Sequence, residues 1–379
     1  MVNFKTGNVR RFFVQRERPG LGDMTEVMEA HAHRAIDPAS EVETSAGWCG
    51  FWDERVAGPI QLDVNLVGFG FRVDTLKVPA AVLAPKTRDA CEALKQGLKL
   101  DGLNRQQVAD VRAQVKQQLR LRIPPRTQVT QVVWSEDEKD VVYLMTGSDA
   151  VAAQFHELFE RTFEIQLIPD SVYARLKGGE LADDLAHYGN IPAFVRVGNS
   201  VSQAPTPTDA PYVEHAAWWG RLGLAFLHHL AQLTSTEDPV SVSDKEFQVV
   251  DGGRADLIRG DTTVKFRKGV PLEAMQLGDL LREGSLLQSA GFEFKCVGSA
   301  YDFKAVVTGY DLRLSGVSLP SVLRDEPEEL VIETCWLLDR LFELFDTLLE
   351  QFVQDSSRLG LEAFDHIEKW ALTLAQVEG

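Results

Sequence analysis

The clearest pattern in the chain is that of an amphipathic helix that ends at two prolines, residues 124–125. Apolar side chains recur at steps of three and four from Val108 to Leu119, which is the spacing of one helical face. Asn104 followed by Gln107 has the spacing of a capping box, so the helix is expected to begin there. The prolines end it, because proline lacks an amide donor and restricts the residue before it.

After the prolines, the hydrophobic period changes from that of a helix to that of strands. The runs 127–135 and 141–145 are rich in β-branched and aromatic residues and are separated by charged residues, which predicts a hairpin. Helical spacing returns after Ser148, and the apolar run 163–168 predicts a further strand. The order helix, strand, strand, helix, strand is that of a small α+β unit.

Upstream of this unit, the pattern predicts a strand, a helix and a hairpin. Residues 9–15 have strand character, and a helix is expected from about residue 23 to residue 34. The glycine-punctuated apolar stretch 47–52 is interpreted as a turn. Alternating side chains in 60–67 and 70–78 predict the two strands of the hairpin.

The C-terminal half combines a mainly β region with long helices. The predicted elements are a helix at 212–233, strands between 247 and 319, a long helix at about 328–354 and a shorter helix at about 361–374. In the long helix, the apolar positions between Trp336 and Phe352 form an arc wider than a single surface helix usually shows. We therefore expect this helix to be buried on more than one side, and we expect a homodimer.

A chain of 379 residues exceeds what one ordinary core holds, so several domains are expected. The sequence predicts a multi-domain α+β protein with mixed antiparallel sheets and a long C-terminal helix. The predicted divisions are an N-terminal α+β domain at 1–80, a small α+β domain with basic helices at 81–170, a linker at 171–211, and a C-terminal α+β domain with dimerising helices at 212–379. The linker is placed where glycine, serine, threonine and proline accumulate.

Basic side chains form a second stripe on the helix that begins after Asn104. They are Arg105, Arg112, Lys116 and Arg120. This stripe lies beside the apolar stripe, so the helix can pack on a core with its cations directed outward. A preceding helix at about 86–99 is also basic.

Charge is distributed unevenly along the chain, whose net charge is −17. Such a charge argues against nucleic acid as a ligand, because polyanions repel one another. Residues 86–126, however, contain ten Lys and Arg against four Asp and Glu, whereas residues 325–379 contain three against fourteen. The basic segment is therefore either a binding surface or an ordinary solvated helix face.

No motif for catalysis or for nucleotide binding is present. The chain has no phosphate-binding glycine loop, no nucleophile elbow and no zinc-type cysteine pair, so catalytic residues, metal and cofactor are predicted to be absent. Asp251, Asp256 and Asp261 could hold a magnesium ion in a nuclease. Their glycine neighbours favour the other interpretation, in which they are turn residues between strands.

The four cysteines are far apart and form no C-x-x-C pair, which is typical of reduced, mostly buried thiols in a cytoplasmic protein. No run approaches the roughly 20 apolar residues that span a bilayer, and the N-terminus lacks the apolar core of a secretory signal. No membrane partner is expected.

The order of landmarks along the chain resembles that of the recombination-associated RdgC family. The matching pieces are Phe71-Arg-Val-Asp74 with Lys77-Val-Pro79, the basic helices, the Pro-Arg to Trp134 strand, Phe159-Glu-Arg-Thr-Phe163, Leu167-Ile-Pro169, Val250-Asp-Gly-Gly253, Val264-Lys-Phe-Arg-Lys268 and Leu312 to Pro320. The similarity spans nearly the whole chain and is strongest over about 70–170 and 245–320.

This resemblance implies a non-catalytic, sequence-nonspecific double-stranded DNA-binding protein. Two copies would close into a ring around duplex DNA, modulate RecA-dependent recombination, contact RecA filaments and associate with the nucleoid. The positions that the resemblance assigns to DNA are Arg122, Arg126, Lys265, Arg267 and Lys268.

Two other functions stay open on the sequence. One is a protein–protein adaptor that uses the helix at 328–352 and binds no DNA. The other is a metal-dependent nuclease built on the three aspartates.

Overall fold

The structure is a computed structural model that describes most of the chain outside its central segment. The described residues are 6–136, 140–171, 196–197, 200–201, 226–227, 229–234, 239–242, 244–259, 262–266, 279–280, 283, 285–298, 302–309, 312–320 and 326–359. Most of the predicted linker, most of the predicted helix at 212–233 and the whole predicted helix at 361–374 lie outside these residues.

The elements with defined bounds are five helices and fifteen strands within the described residues. The helices are α1 Leu21–Ala30, α2 Ala80–Leu98, α3 Arg105–Arg120, α4 Asp149–Phe163 and α5 Pro327–Leu359. The strands are β1 Thr6–Val14, β2 Thr44–Cys49, β3 Ile60–Asp63, β4 Leu66–Thr75, β5 Arg126–Ser135, β6 Val141–Leu144, β7 Leu167–Pro169, β8 Arg196–Val197, β9 Ser200–Val201, β10 Val240–Val242, β11 Lys245–Arg259, β12 Thr262–Phe266, β13 Leu286–Cys296, β14 Phe303–Thr308 and β15 Leu314–Ser318.

Thirteen of these strands form one antiparallel sheet, which together with the helices confirms the predicted α+β class. The order is β10-β11-β13-β14-β15-β1-β6-β5-β4-β2, with β12 beside β11, β3 beside β4 and β7 beside β1. Strand β1 pairs with β15 on one side and with β6 on the other, so the N-terminal strand joins the two halves of the sheet. The pairing of β4 with β5 crosses the predicted boundary at residue 80, so that boundary does not separate two sheets.

The helix-capping signals predicted near the two prolines form as expected. The capping box of α3 forms: Gln107 N donates to Asn104 Oδ1 at 2.8 Å, and Asn104 N donates to Gln107 Oε1 at 2.9 Å. Ser148 accepts a hydrogen bond from Val151 N at the start of α4. The predicted strand at 163–168 is shorter, because Phe163 still belongs to α4 and β7 begins at residue 167.

An aromatic core fills the space between one face of the N-terminal half of the sheet and helices α1 and α4. Trp48, Trp134, Phe155 and Phe159 are fully buried there, and Phe159 lies 5.2 Å from Trp134 between ring centroids. The Trp48 indole N–H donates to Thr162 Oγ1 at 2.8 Å, so its polar atom is satisfied inside the core.

Residues 47–49 belong to strand β2, so the interpretation of 47–52 as a turn was wrong for its first half. Gly47 is needed because the segment before β2 returns alongside it, where Ala32 bridges Trp48 in parallel. A Cβ at Gly47 would lie 2.4 Å from His33 Cα. The glycine thus permits close backbone contact inside a strand, which sequence pattern alone does not distinguish from a turn.

Helix α5 lies on the other face of the sheet and spans both halves. Its side chains from Leu337 to Phe352 that form the apolar arc are buried within the chain, and of the arc residues only Trp336 is exposed. Phe342 stacks on Tyr143 of β6, and Phe345 packs edge-on against Phe294 of β13. The arc is buried on more than one side, as predicted, but this chain covers it by itself. The arc therefore gives no support to a dimer.

None of the described helices has a stretch long and apolar enough to cross a bilayer. The cysteines form no disulfide. Three of the four are buried, and Cys91 on α2 is half-buried. Burial raises the pKa of the Cys49 thiol to about 12.

In the native protein at pH 8, we expect iodoacetamide to modify Cys91 faster than any other cysteine, because the thiolate is the reactive form and buried thiols are inert. Peptide mass spectrometry after timed quenching measures this, and Cys91→Ser should remove the fast phase. Rapid native modification of Cys49 would contradict its burial in strand β2.

Candidate nucleic-acid interface

A polar cleft of about 630 Å³ lies on the sheet face opposite α5, where α4 begins. Both halves of the sheet contribute polar side chains to it. They are Arg254, Asp256, Lys265, Ser289, Thr308, Arg313 and Ser315 from the C-terminal half, and Asn8, Gln128, Thr146, Ser148 and Asp149 from the N-terminal half. The cleft therefore brings together residues that are more than a hundred positions apart in the sequence.

The floor of the cleft is a row of polar side chains that crosses four strands and ends at Arg313, the residue before β15. Asp256 is opposite Lys265 of β12 on one side and Ser289 of β13 on the other. Ser289 is opposite Thr308 of β14, whose backbone N–H donates to the carbonyl of Arg313 at 3.1 Å. Since adjacent strands are about 4.8 Å apart, the row extends about 19 Å, with a cation at each end.

A β-bulge in β11 places the charged residues of this row. Pairing with β13 shifts between Asp251 and Ala255, and Gly253 has a positive φ of 67°. A Cβ at Gly252 would lie 2.8 Å from the Gly291 carbonyl carbon, so the bulge requires glycine there. Beyond it, the strand directs Ala255 into the core and the side chains on either side of it into the cleft. The interpretation of residues 251–253 as a turn between strands was therefore wrong.

Ion pairs fix the end of the cleft at the N-terminus of α4. Asp149 accepts hydrogen bonds from Arg10 and from Arg313, the latter at 2.8 Å. Burial raises the pKa of Asp149, but the hydrogen bond from Arg10 and the charges of both arginines outweigh it, so the pKa lies below its usual value. Among the described residues, Arg254 and Lys265 form no ion pair, so their charges are available to a ligand.

The predicted basic stripe of α3 is only partly directed outward. Arg105 and Arg112 are exposed. Lys116 is bound to Glu43 at 2.7 Å, and the pKa of Glu43 is lowered by the hydrogen bond and the charge of Lys116. Two of the four predicted cations on this helix are thus exposed without an ion pair to another described residue.

Arg120 is not a surface residue, and its assignment to the outward stripe was wrong. It is 4% exposed, and its guanidinium donates to the carbonyls of Pro38, Val42 and Leu76. These bonds attach the end of α3 to the loop after α1 and to the end of β4. A buried arginine with three carbonyl partners stabilises the fold and is not accessible to phosphate.

The remaining predicted positions lie near or beyond the cleft. Arg122 and Arg126 are exposed, and Arg126 begins β5 two residues before Gln128, which lines the cleft. Lys265 lines the cleft directly. Arg267 and Lys268 lie outside the described residues.

The three aspartates of the nuclease hypothesis are not assembled in the described part of the chain. Asp251 accepts a hydrogen bond from Gly253 N at 2.7 Å within the bulge, whereas Asp256 lines the cleft. Asp261 lies outside the described residues. Among described residues, no three His, Cys, Asp or Glu side chains converge as a metal site would require.

The sequence reading missed Arg254, Arg313 and Arg10. Arg254 follows the Asp-Gly-Gly signal, which in a strand also indicates a bulge and a re-aimed side chain. Arg10 and Arg313 had no local signal, because only the pairing of β1 with β15 brings them to Asp149.

Comparison with protein-family models and with curated proteins finds no match to this chain. The cleft is therefore interpreted from its own residues.

Proposed function

We propose that this protein is a non-catalytic, sequence-nonspecific binder of double-stranded DNA and that the polar cleft carries the contact. The observation that supports the proposal is the meeting of Arg254, Lys265 and Arg313 in one cleft of a chain whose net charge is −17. Phosphate contacts by Lys and Arg supply most of the affinity in nonspecific binding and need no base readout. A local excess of cations inside an acidic molecule concentrates a polyanion at that position.

The exposed cations outside the cleft extend the same surface in this proposal. Arg126 and Gln128 lie on the same face of β5, since alternate residues of a strand share a face. Arg122 precedes them, and Arg105 and Arg112 lie on α3, which leads into β5. In this proposal, a duplex bound in the cleft reaches α3 by running along the first residues of β5.

The resemblance to the RdgC family adds a ring-forming dimer and modulation of RecA-dependent recombination to the proposal. A dimer would need a surface other than the apolar arc of α5, which the chain itself covers. Sedimentation at micromolar concentration tests this part alone, and a monomer there would remove the ring.

Reversal of Arg254 and Lys265 to Glu together is expected to weaken duplex binding at least tenfold at about 0.1 M salt, because attraction to phosphate becomes repulsion. The salt slope should fall by about two units, at roughly one for each lost contact. Fluorescence anisotropy with a labelled duplex at three salt concentrations measures both quantities.

The control is the double reversal of Arg16 and Arg55, two exposed cations outside the cleft lining, which changes the net charge equally. Equal losses in the two variants would leave only a net-charge effect and overturn the cleft assignment. Reversal of Arg105 and Arg112 reports whether α3 contributes.

A protein–protein adaptor is the second candidate, and the surface of α2 and α3 favours it. Leu98 is 54% exposed, Val108 40% and Leu121 63%. These side chains lie on two helices that pack against each other, and exposed apolar surface on such a pair can serve as a contact surface. Absence of duplex binding by the parent protein even at low salt would leave this candidate.

A further inference from the structure

Asp256 is the most unusual residue of the cleft, because it is a buried carboxylate with an unused oxygen. It is 8% exposed, and its Oδ1 has no hydrogen-bond partner among the described residues. Arg254, two residues earlier on the same face of β11, has a buried Nε that also lacks a partner. A buried acceptor and a buried donor without partners destabilise a site unless a ligand or water satisfies them.

We propose that this part of the cleft is a nucleotide subsite, in which Asp256 accepts a hydrogen bond from an N–H of a nucleobase. Arg254 donates to an acceptor of the same ligand, and Lys265, directly opposite Asp256 in the sheet, contacts its phosphate. This proposal deepens the DNA-binding function proposed above and rests on it.

A phosphate by itself does not satisfy the subsite. Its oxygens are acceptors, so they can use Arg254 and Lys265 but would repel the carboxylate of Asp256. The ligand must therefore bring an N–H or O–H donor to Asp256. Ser289, opposite Asp256 in the sheet, offers a hydroxyl that can donate or accept beside it.

A cationic ligand does not satisfy the subsite either. Arg254, Lys265 and Arg313 line the same cleft and oppose a metal ion or a basic side chain of a protein partner. A neutral donor attached to an anion fits both charges, and a nucleotide has this combination. Carboxylates accept from base amino groups in known protein–DNA contacts.

The position of Asp256 also restricts the state of the nucleotide. Its side chain is only 8% exposed in the floor of the cleft, so it does not project into the groove of a duplex. The base must come to the cleft unpaired, either as a free nucleotide or as an unpaired residue of a strand. The volume of about 630 Å³ lies within the range of small-ligand sites, about 300–1,000 Å³.

Asp256→Asn is expected to change DNA affinity in opposite directions under the two interpretations of the cleft. With phosphate contacts alone, removal of a negative charge strengthens binding of every DNA. In the nucleotide subsite, it weakens binding of a base-bearing single strand at least tenfold, because the amide presents a weaker acceptor and the charge-assisted bond is lost. An abasic strand of equal length and the duplex should bind as well as before or more tightly.

The experiment measures anisotropy of labelled oligo-dC, an abasic oligomer and a duplex with the parent, Asp256→Asn, Asp256→Ala and Asp89→Asn. Asp89 is an exposed carboxylate on α2 outside the cleft lining, and its variant should not weaken oligo-dC. Circular dichroism checks that each variant is folded. Calorimetry with dCMP shows whether a free nucleotide binds. Deoxyribose 5-phosphate, which lacks the base, shows whether the base is needed.

Unchanged or tighter oligo-dC binding by both Asp256 variants would overturn the subsite and leave duplex binding intact as a function. If both Asp256 variants lose binding of all three DNAs, the nucleotide subsite is overturned as well, because the presence of a base would then make no difference to binding. If the parent binds no DNA, the proposed function fails separately, and the dCMP titration alone decides the subsite: binding lost in Asp256→Asn supports it, and no binding overturns it.

Discussion

Replacement of Arg11 by Met is expected to lower the free energy of unfolding by about 3–5 kcal/mol, the usual cost of removing one partner from a buried ion pair. Arg11 is 6% exposed in β1 and binds Asp170 at 2.9 Å and Asp346 of α5 at 3.0 Å. Its guanidinium also lies 4.1 Å from the ring centroid of Phe342. The substitution would leave two carboxylates without this cation between the sheet and α5. Urea unfolding monitored by tryptophan fluorescence measures the loss.

Arg340→Met on α5 is the matched control, since its pair with Glu343 is exposed by 41% and 38%. Such surface pairs contribute about 0–1 kcal/mol. Arg11→Met combined with Asp170→Asn should recover part of the stability, because one of the stranded charges is removed. Equal small effects of Arg11→Met and Arg340→Met would show that the buried network does not hold α5 on the sheet.

Phe159→Ala is expected to cost about 3–5 kcal/mol of stability, as is usual for a buried phenylalanine. Phe159 has no exposed surface and packs on four other aromatic rings, the nearest being Phe163 at 4.7 Å between centroids. Truncation would leave a cavity between α4 and the sheet that these rigid rings cannot close. The same urea titration measures it, and a raised apolar-dye signal would report a loosened core.

Leu98→Ala is the control for apolar truncation, because Leu98 is exposed at the end of α2. Substitutions at such surface positions usually change stability by less than about 0.5 kcal/mol. A loss at Phe159 no larger than that at Leu98 would contradict a tightly packed aromatic core.

The elements defined by local chemistry could be predicted from the sequence. The capping box and the prolines set the bounds of α3, because caps and chain breaks act within a few residues. The β5–β6 hairpin and the long helix α5 followed from hydrophobic period alone. Gly47 and the bulge at 251–253 were misinterpreted as turns, because a glycine that permits close backbone contact has the same composition signal as one that reverses the chain.

Whether each charged side chain is exposed or buried depends on which segment packs against it. Arg112 and Arg120 lie on the same helix and belong to the same predicted stripe, yet one is exposed and the other is enclosed by three carbonyls. Helical period places side chains on a face but does not say whether another segment covers that face. The loop before β2 covers it at Arg120.

By itself, the sequence determined the α+β class, the amphipathic helices and the location of basic and acidic segments, because these depend on interactions between near neighbours in the chain. Only the tertiary structure decided that β1 joins both halves of the sheet and that α5 is covered by its own chain. It also decided that Lys265, Asp256 and Asp149 share one cleft. Pairing between distant strands sets these contacts, and the hydrophobic period of a strand specifies which face is buried but not which strand lies beside it.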